Sequence, residues 1–105
     1  MPYRLFLDDE RYPPDNGPWT VIRSVSEFKQ IITVLGPPSF ISFDHDLGDD
    51  VPTGMDAVKW LIETDIDSGG TFLPKNFNFT VHSMNPVGAQ NIKSILTNYL
   101  EFRAS

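Results

Sequence analysis

The alternation of apolar segments with polar breaks along the chain predicts four short strands and three helices. Apolar residues recur at three- and four-residue intervals after Ser24, after Thr53 and after Asn85, as they do on the buried face of a helix. Ser24 and Thr53 each begin a capping-box pattern, and Asn85 precedes a proline at the first helical position. The strands are predicted from apolar or β-branched runs bounded by turn residues, at 3–7, 19–23, 40–43 and 77–81.

The predicted order is β-β-α-β-α-β-α, which favours a mostly parallel sheet covered by helices. The link between the first two strands, residues 10–18, is too rich in proline and glycine to form a helix. In extended form it reaches roughly 30 Å, which is enough to return along a short strand, so the second strand is also predicted to be parallel to the first. Without an internal repeat or linker, residues 1–105 are predicted to form a single domain.

Composition narrows the possible partners. The net charge of −6 and the sequence pI near 4.6 argue against non-specific binding to nucleic acids or anionic lipid, but they leave open recognition of one nucleotide end in a local pocket. No apolar run has the length of a membrane span, and residues 1–11 lack the layout of a secretory signal. The absence of cysteine excludes disulfides, and we expect a cytoplasmic protein.

Chemically capable side chains follow three of the four predicted strands. In an open parallel sheet, ligands bind outside the carboxyl ends of the strands, near the point where strand order reverses. Each group by itself also has an ordinary structural explanation: turn formation, capping, a hydrogen-bonded histidine or a solvated acidic loop. Their coincidence at one edge favours a functional site. The residues are Asp8 and Asp9, Asp44, His45 and Asp46, and His82 with Ser83.

The crowding of carboxylates at this edge requires compensation. Two bare charges 4 Å apart cost on the order of 4 kcal/mol at an effective dielectric constant near 20. Arg11 and the two histidines are the only cations that the sequence places nearby. Oxygen ligands suit Mg²⁺ or Mn²⁺ better than zinc, so Asp8, Asp9 and Asp44 are the predicted metal ligands.

Four motifs together resemble those of the cyclic-phosphate processing receiver-like family, a divergent relative of response-regulator receiver domains. They are LDDER at 7–11, FDHDLG at 43–48, TGMD at 53–56 and HSMNPVGAQNI at 82–92. The resemblance implies a flavodoxin-like domain with strand order 2-1-3-4 and three helices, of bacterial or phage origin. It also implies action on cyclic phosphates, such as the 2′,3′-cyclic ends of cleaved RNA.

The resemblance to ordinary receivers is incomplete. Asp8 and Asp9 match the acidic pair that binds Mg²⁺, and Asp44 matches the phosphoacceptor. Ser83 lies near the position of the hydroxyl that follows the fourth strand of a receiver. A receiver also has a fifth strand that ends in an essential lysine, whereas Lys93 here falls in the last predicted helix. His45 and His82 have no receiver counterpart. These departures weaken a phosphorelay role and favour acid–base chemistry.

The leading hypothesis is therefore a phosphoesterase-type hydrolase that opens a cyclic phosphate on a nucleotide or RNA end. His45 and His82 are the predicted acid–base pair, with Asp46 orienting its neighbours. A metal-free version, in which the carboxylates only orient the histidines, stays open. So do a phosphoacceptor role for Asp44 and a non-catalytic module that binds a nucleotide or a protein partner in RNA repair or signalling. The predicted substrate-binding residues are Arg11, Ser83 and Asn85.

Overall fold

The computed structural model describes residues 2–105 and contains the predicted elements in the predicted order. Each strand boundary lies within one residue of the sequence-based prediction. The strands are β1 (Arg4–Leu7), β2 (Trp19–Ile22), β3 (Phe40–Phe43) and β4 (Asn78–Val81). The helices are α1 (Val25–Leu35), α2 (Gly54–Asp67) and α3 (Pro86–Ala104).

The four strands form one parallel sheet in the order β2-β1-β3-β4, which confirms the predicted topology. Leu7, the last residue of β1, is in register with Ile22 of β2 and with Phe43 of β3. Phe43 in turn is in register with Val81, the last residue of β4. The carboxyl ends of all four strands therefore lie level with one another at a single edge.

One face of the sheet packs against all three helices. Leu5 and Leu7 of β1 and Ile41 and Phe43 of β3 are fully buried, and they belong to the same apolar cluster as the helices. The helical members of that cluster are Val25, Phe28 and Ile32 of α1, Ala57, Val58 and Leu61 of α2, and Ile92 and Leu96 of α3. Within residues 2–105 the helices thus form one layer on a four-stranded sheet.

The opposite face of the sheet has no helix over it in the described part of the chain. Phe6 lies on this face and packs edge-on against Trp19, at 5.8 Å between ring centroids. The loop between β1 and β2 folds over part of it, because Asp15 accepts a hydrogen bond from Nε1 of Trp19 over 2.9 Å and lies 3.7 Å from Arg4. None of the helices in residues 2–105 combines the length and apolar character that crossing a bilayer requires.

Candidate functional site

Three strand ends bring their polar side chains together because the sheet hydrogen bonding continues one residue beyond the strands. The N–H of Asp44 donates to the carbonyl of Leu7 over 2.9 Å. The N–H of His82 donates to the carbonyl of Phe43 over the same distance. Side chains alternate between the two faces of a strand, so Asp8, Asp44 and His82 all project on the helix-free side. One ligand atom from each lies within 4.8 Å of the other two.

Asp8 is the most enclosed member of this group, with no exposed surface. Its Oδ1 accepts hydrogen bonds from the N–H groups of Glu10 and Arg11 at 2.9 and 2.8 Å, and its Oδ2 lies 3.0 Å from Nε2 of His82. Burial alone would raise the pKa of Asp8, but these hydrogen bonds outweigh it and hold the pKa below its ordinary value. Asp8 is therefore an ionised carboxylate held in a fixed orientation.

Asp44 has the opposite electrostatic environment. Burial, and after it the charge of Asp8, raise the pKa of Asp44 above its ordinary value. Its Oδ1 accepts the N–H of His45 over 2.8 Å. Two carboxylates and one imidazole within 4.8 Å form a ligand set that suits a divalent cation, and a cation here would remove the repulsion between Asp8 and Asp44.

His82 is held on both ring nitrogens. Nδ1 lies 2.7 Å from the hydroxyl of Ser42, and Nε2 lies 3.0 Å from Asp8. The imidazole stacks on the ring of Phe6, with 4.4 Å between centroids and 8° between planes. These three contacts fix both the plane and the rotation of the ring.

His45 lies in the loop between β3 and α2 and packs against the first turn of α3. Its Nδ1 is 2.7 Å from Oδ1 of Asp46, which also accepts from the side-chain amide of Asn85. Asn85 caps α3, because its Oδ1 accepts the N–H of Gly88 over 2.9 Å. A Cβ on Gly88 would come within 2.4 Å of the His45 ring, so glycine at this position makes room for the imidazole.

The start of α2 packs against the loop between β3 and α2. The N–H of Gly54 donates to the carbonyl of His45 over 2.7 Å. A Cβ on Gly54 would lie 1.9 Å from the carbonyl oxygen of Asp44, which is backbone and cannot move aside cheaply. The glycine of TGMD therefore allows the end of β3 and the start of α2 to pack in direct contact.

A cleft of about 370 Å³ opens at this edge of the sheet. Arg11 borders it, with its Nε 4.0 Å from Oδ2 of Asp8 and its Nη1 3.4 Å from the carbonyl of His82. In residues 2–105 its lining does not include His45, His82 or Asn85. The predicted site residues that do line it are Asp8, Asp9, Arg11, Asp44, Asp46 and Ser83.

Comparison with protein-family models now identifies the relationship that the motifs predicted. The model of the cyclic-phosphate processing receiver domain matches residues 3–98. The chain belongs to this family. The matched range includes every strand and every predicted site residue. A search of curated proteins and a search of solved structures each find no match.

In this cyclic-phosphate processing receiver domain, the three residues whose ligand atoms lie close together differ from the three predicted metal ligands. We expected Asp8, Asp9 and Asp44, whereas the structure brings together Asp8, Asp44 and His82. Asp9 lines the cleft, but it lies in the bend after β1 and its carboxylate is not part of this close ligand group. Its role as a metal ligand stays a prediction, as does the pairing of His45 with His82.

Two residues that sequence reasoning overlooked contact the site directly. Arg23 donates from Nη1 to the carbonyls of Asp8 and Arg11, at 3.0 and 2.5 Å, so the expectation that Arg11 and the histidines are the only nearby cations is wrong. Its position directly after β2, beside β1, was the available signal. Ser42 was also missed, although it lies two residues before Asp44 and so shares its face of β3.

Proposed function

We propose that this receiver domain hydrolyses a cyclic phosphodiester, such as the 2′,3′-cyclic phosphate of a nucleotide or an RNA end. The observation that carries the proposal is the group of Asp8, Asp44 and His82 within 4.8 Å, beside a cleft that Arg11 borders. Membership in a cyclic-phosphate processing family supports it. In the reaction, the oxygen of water bonds to phosphorus and gives up a proton, the cyclic P–O bond breaks, and the leaving oxygen takes up a proton.

Arg11 and Ser83 are the proposed phosphate-binding residues. The guanidinium of Arg11 matches the geometry of phosphate oxygens and is half-exposed in the cleft. The hydroxyl of Ser83 accepts the N–H of Asn85 over 3.1 Å and hydrogen-bonds to the carboxylate of Asp44, so a phosphate oxygen would take over its proton from Asp44. Asn85 already caps α3 with its side-chain oxygen, so its contribution is to place the helix N-terminus, which favours anions.

Asp8, Asp44 and Nε2 of His82 would hold a divalent cation, Mg²⁺ or Mn²⁺. When bound, the cation would neutralise phosphate charge and lower the pKa of a water molecule. The chain's own contribution is to collect the ligands, because hydrogen bonds hold Asp8 and stacking on Phe6 holds His82. An acidic cleft with few cations would otherwise repel an anionic substrate.

His45 is the proposed acid–base residue, and Asp46 orients it. Asp46 lines the cleft and accepts a hydrogen bond from Nδ1 of His45. This bond orients the imidazole. Nε2 of His45 makes no hydrogen bond to residues 2–105, so this nitrogen is available to exchange a proton. His82 has both nitrogens engaged, and we assign it to ligand binding rather than to proton transfer.

The test is incubation of the protein with a 2′,3′-cyclic nucleotide and Mg²⁺ or Mn²⁺, followed by ³¹P NMR. We expect the cyclic phosphate resonance to be replaced by that of a monophosphate. His45→Ala should abolish turnover and retain Mn²⁺ binding in calorimetry, whereas His82→Ala should lose both. Asp50→Asn is the matched control, because Asp50 is exposed in the same loop and does not line the cleft.

Two results would favour other functions. Nucleotide binding without product, whatever divalent ion is added, would indicate a non-catalytic module that binds a nucleotide or a protein partner. Formation of an acyl phosphate from a small phosphodonor, lost in Asp44→Asn, would indicate a phosphoacceptor.

A further inference from the structure

A chain of four side chains crosses the helix-free face of the sheet and ends in the site. The hydroxyls of Thr80 and Ser42 lie 3.2 Å apart, and Ser42 lies 2.7 Å from Nδ1 of His82. Nε2 of His82 lies 3.0 Å from Oδ2 of Asp8. Neither hydroxyl has a part in the proposed hydrolysis, although Ser42 is buried with only 5% of its surface exposed.

The chemistry of the end group sets the direction of these hydrogen bonds. An ionised carboxylate only accepts, so Nε2 of His82 must donate to Asp8. A neutral imidazole has one N–H, which leaves Nδ1 as an acceptor, and Ser42 must then donate to it. The oxygen of Ser42 is left to accept from Thr80. For a neutral His82, the direction is therefore Thr80 to Ser42 to His82 to Asp8.

A cation held by Asp8 and Asp44 would reverse this order. Coordination by Nε2 needs its lone pair, so the single proton of the neutral ring must be on Nδ1, and Ser42 must then accept. Its own proton then points toward Thr80. The ring loses the Nε2 proton to solvent. Ser42 passes its proton to Nδ1 and takes up that of Thr80, and the exposed Thr80 regains one from solvent, so the charge of the ring does not change.

We propose that Ser42 is a positioning residue that lets neutral His82 exchange one tautomer for the other when the site takes up a divalent cation. The proposal rests on the cation site of the proposed function. A hydroxyl is required because it both donates and accepts in the same place. Burial of Ser42 and the stacking of His82 on Phe6 leave little room for water to replace it.

The experiment is a two-bond ¹H–¹⁵N correlation on the uniformly ¹⁵N-labelled full chain, without nucleotide. His82 and His45 are the only histidines, so His45 is an internal reference. Without a divalent ion we expect the His82 proton on Nε2. Zn²⁺, a diamagnetic probe that both carboxylate and imidazole bind, should move the proton to Nδ1 and leave the His45 resonances in place.

Variants separate positioning from folding. Ser42→Ala should lower Zn²⁺ affinity by about 10- to 100-fold, as loss of an outer-shell partner of a ligating histidine does. Ser42→Thr, which restores the hydroxyl, should recover both the affinity and the tautomer change. Thr80→Val should have a smaller effect, because Thr80 is exposed and water replaces its hydroxyl. Circular dichroism of each variant verifies that it is folded.

A proton on Nδ1 of His82 before any metal is added would overturn the proposal. So would unchanged Zn²⁺ affinity and unchanged His82 resonances in folded Ser42→Ala. Failure of the hydrolysis assay alone leaves these signals intact, because no substrate is present. The failure of the proposed function and the failure of this inference are therefore distinguishable.

Discussion

Two buried aspartates show how the same side chain serves two purposes in this domain. Asp65, on α2, has no exposed surface, and Asp44, at the end of β3, is 6% exposed. Asp65 accepts hydrogen bonds from the hydroxyl of Tyr99 at 2.5 Å and from the N–H of Leu73 at 2.8 Å, and Arg103 lies 3.4 Å away. Asp44 instead faces a second carboxylate.

Their pKa values move in opposite directions. Burial alone would raise the pKa of Asp65, but Tyr99, Leu73 and Arg103 outweigh it and the pKa falls below its ordinary value. Burial and the charge of Asp8 raise the pKa of Asp44, and the hydrogen bonds from Ser83 and from the N–H of His45 do not outweigh them. Asp65 thus ties α2 to α3 and to the loop after α2. Asp44 instead keeps an electrostatic repulsion with Asp8, which binding of a cation would relieve. Uncompensated groups of this kind mark functional sites more often than structural ones.

Asp65→Asn should cause the largest change, because it removes one partner of a buried ion pair and leaves Arg103 uncompensated. We expect a loss of about 3–5 kcal/mol in the free energy of unfolding, measured by urea denaturation. Turnover per folded molecule should stay the same. Asp67→Asn, an exposed aspartate on the same helix, is the control. Lost turnover in folded Asp65→Asn would show that this cluster is part of the site.

Asp44→Asn should lower turnover without lowering the free energy of unfolding. Turnover of a 2′,3′-cyclic nucleotide should fall by about 100-fold or more, since a proposed metal ligand is lost. The free energy of unfolding should not fall, because the repulsion with Asp8 is removed. Kinetics and urea denaturation on the same sample check both expectations, with Asp50→Asn as the matched control. A large loss of stability would assign Asp44 a structural role like that of Asp65.

Mn²⁺ should stabilise Asp65→Asn but not Asp44→Asn. At 100 times its dissociation constant, a ligand that binds only the folded state adds about 2.7 kcal/mol. We expect this increment in the wild type and in Asp65→Asn, measured by thermal unfolding, and its loss in Asp44→Asn. An equal increment in all three proteins would place the cation elsewhere.

The smallest expected effect is a pH dependence that follows Asp65. Since its pKa is lowered in the folded state, its contribution is fully present above the unfolded value near 3.9 and is lost as pH falls through the folded pKa. The difference in unfolding free energy between wild type and Asp65→Asn should therefore shrink as the pH falls below about 4 in urea denaturation. A difference that grows toward acid would contradict the lowered pKa.

The Asp65 cluster illustrates what sequence reasoning could have found but did not. Val58, Leu61 and Asp65 follow one another at helical spacing, so Asp65 falls on the apolar stripe of α2. An aspartate on such a stripe needs buried partners. The sequence does not reveal them, because Tyr99 and Arg103 come from the far end of α3, 34 and 38 residues away.

The membership of the close ligand group shows a similar limit. The strand ends and the parallel order were predictable, and they place Asp8, Asp44 and His82 at one edge. Alternation along the strands, continued by one residue, puts these three on the same face, whereas Asp9 and His45 lie in the bends that follow. That parity was present in the sequence, but it has meaning only once the register between strands is known.

The sequence by itself determined the seven elements, the parallel order and the edge of the sheet that holds the candidate site, because periodicity, caps and turn residues act locally. Only the tertiary structure decided the partners: His82 rather than Asp9 beside Asp8 and Asp44, Ser42 behind His82, and Gly88 against His45. These contacts depend on register and helix docking to within an ångström. Hydrogen bonds and charge pairs between distant residues are strong only at that precision, which no local pattern encodes.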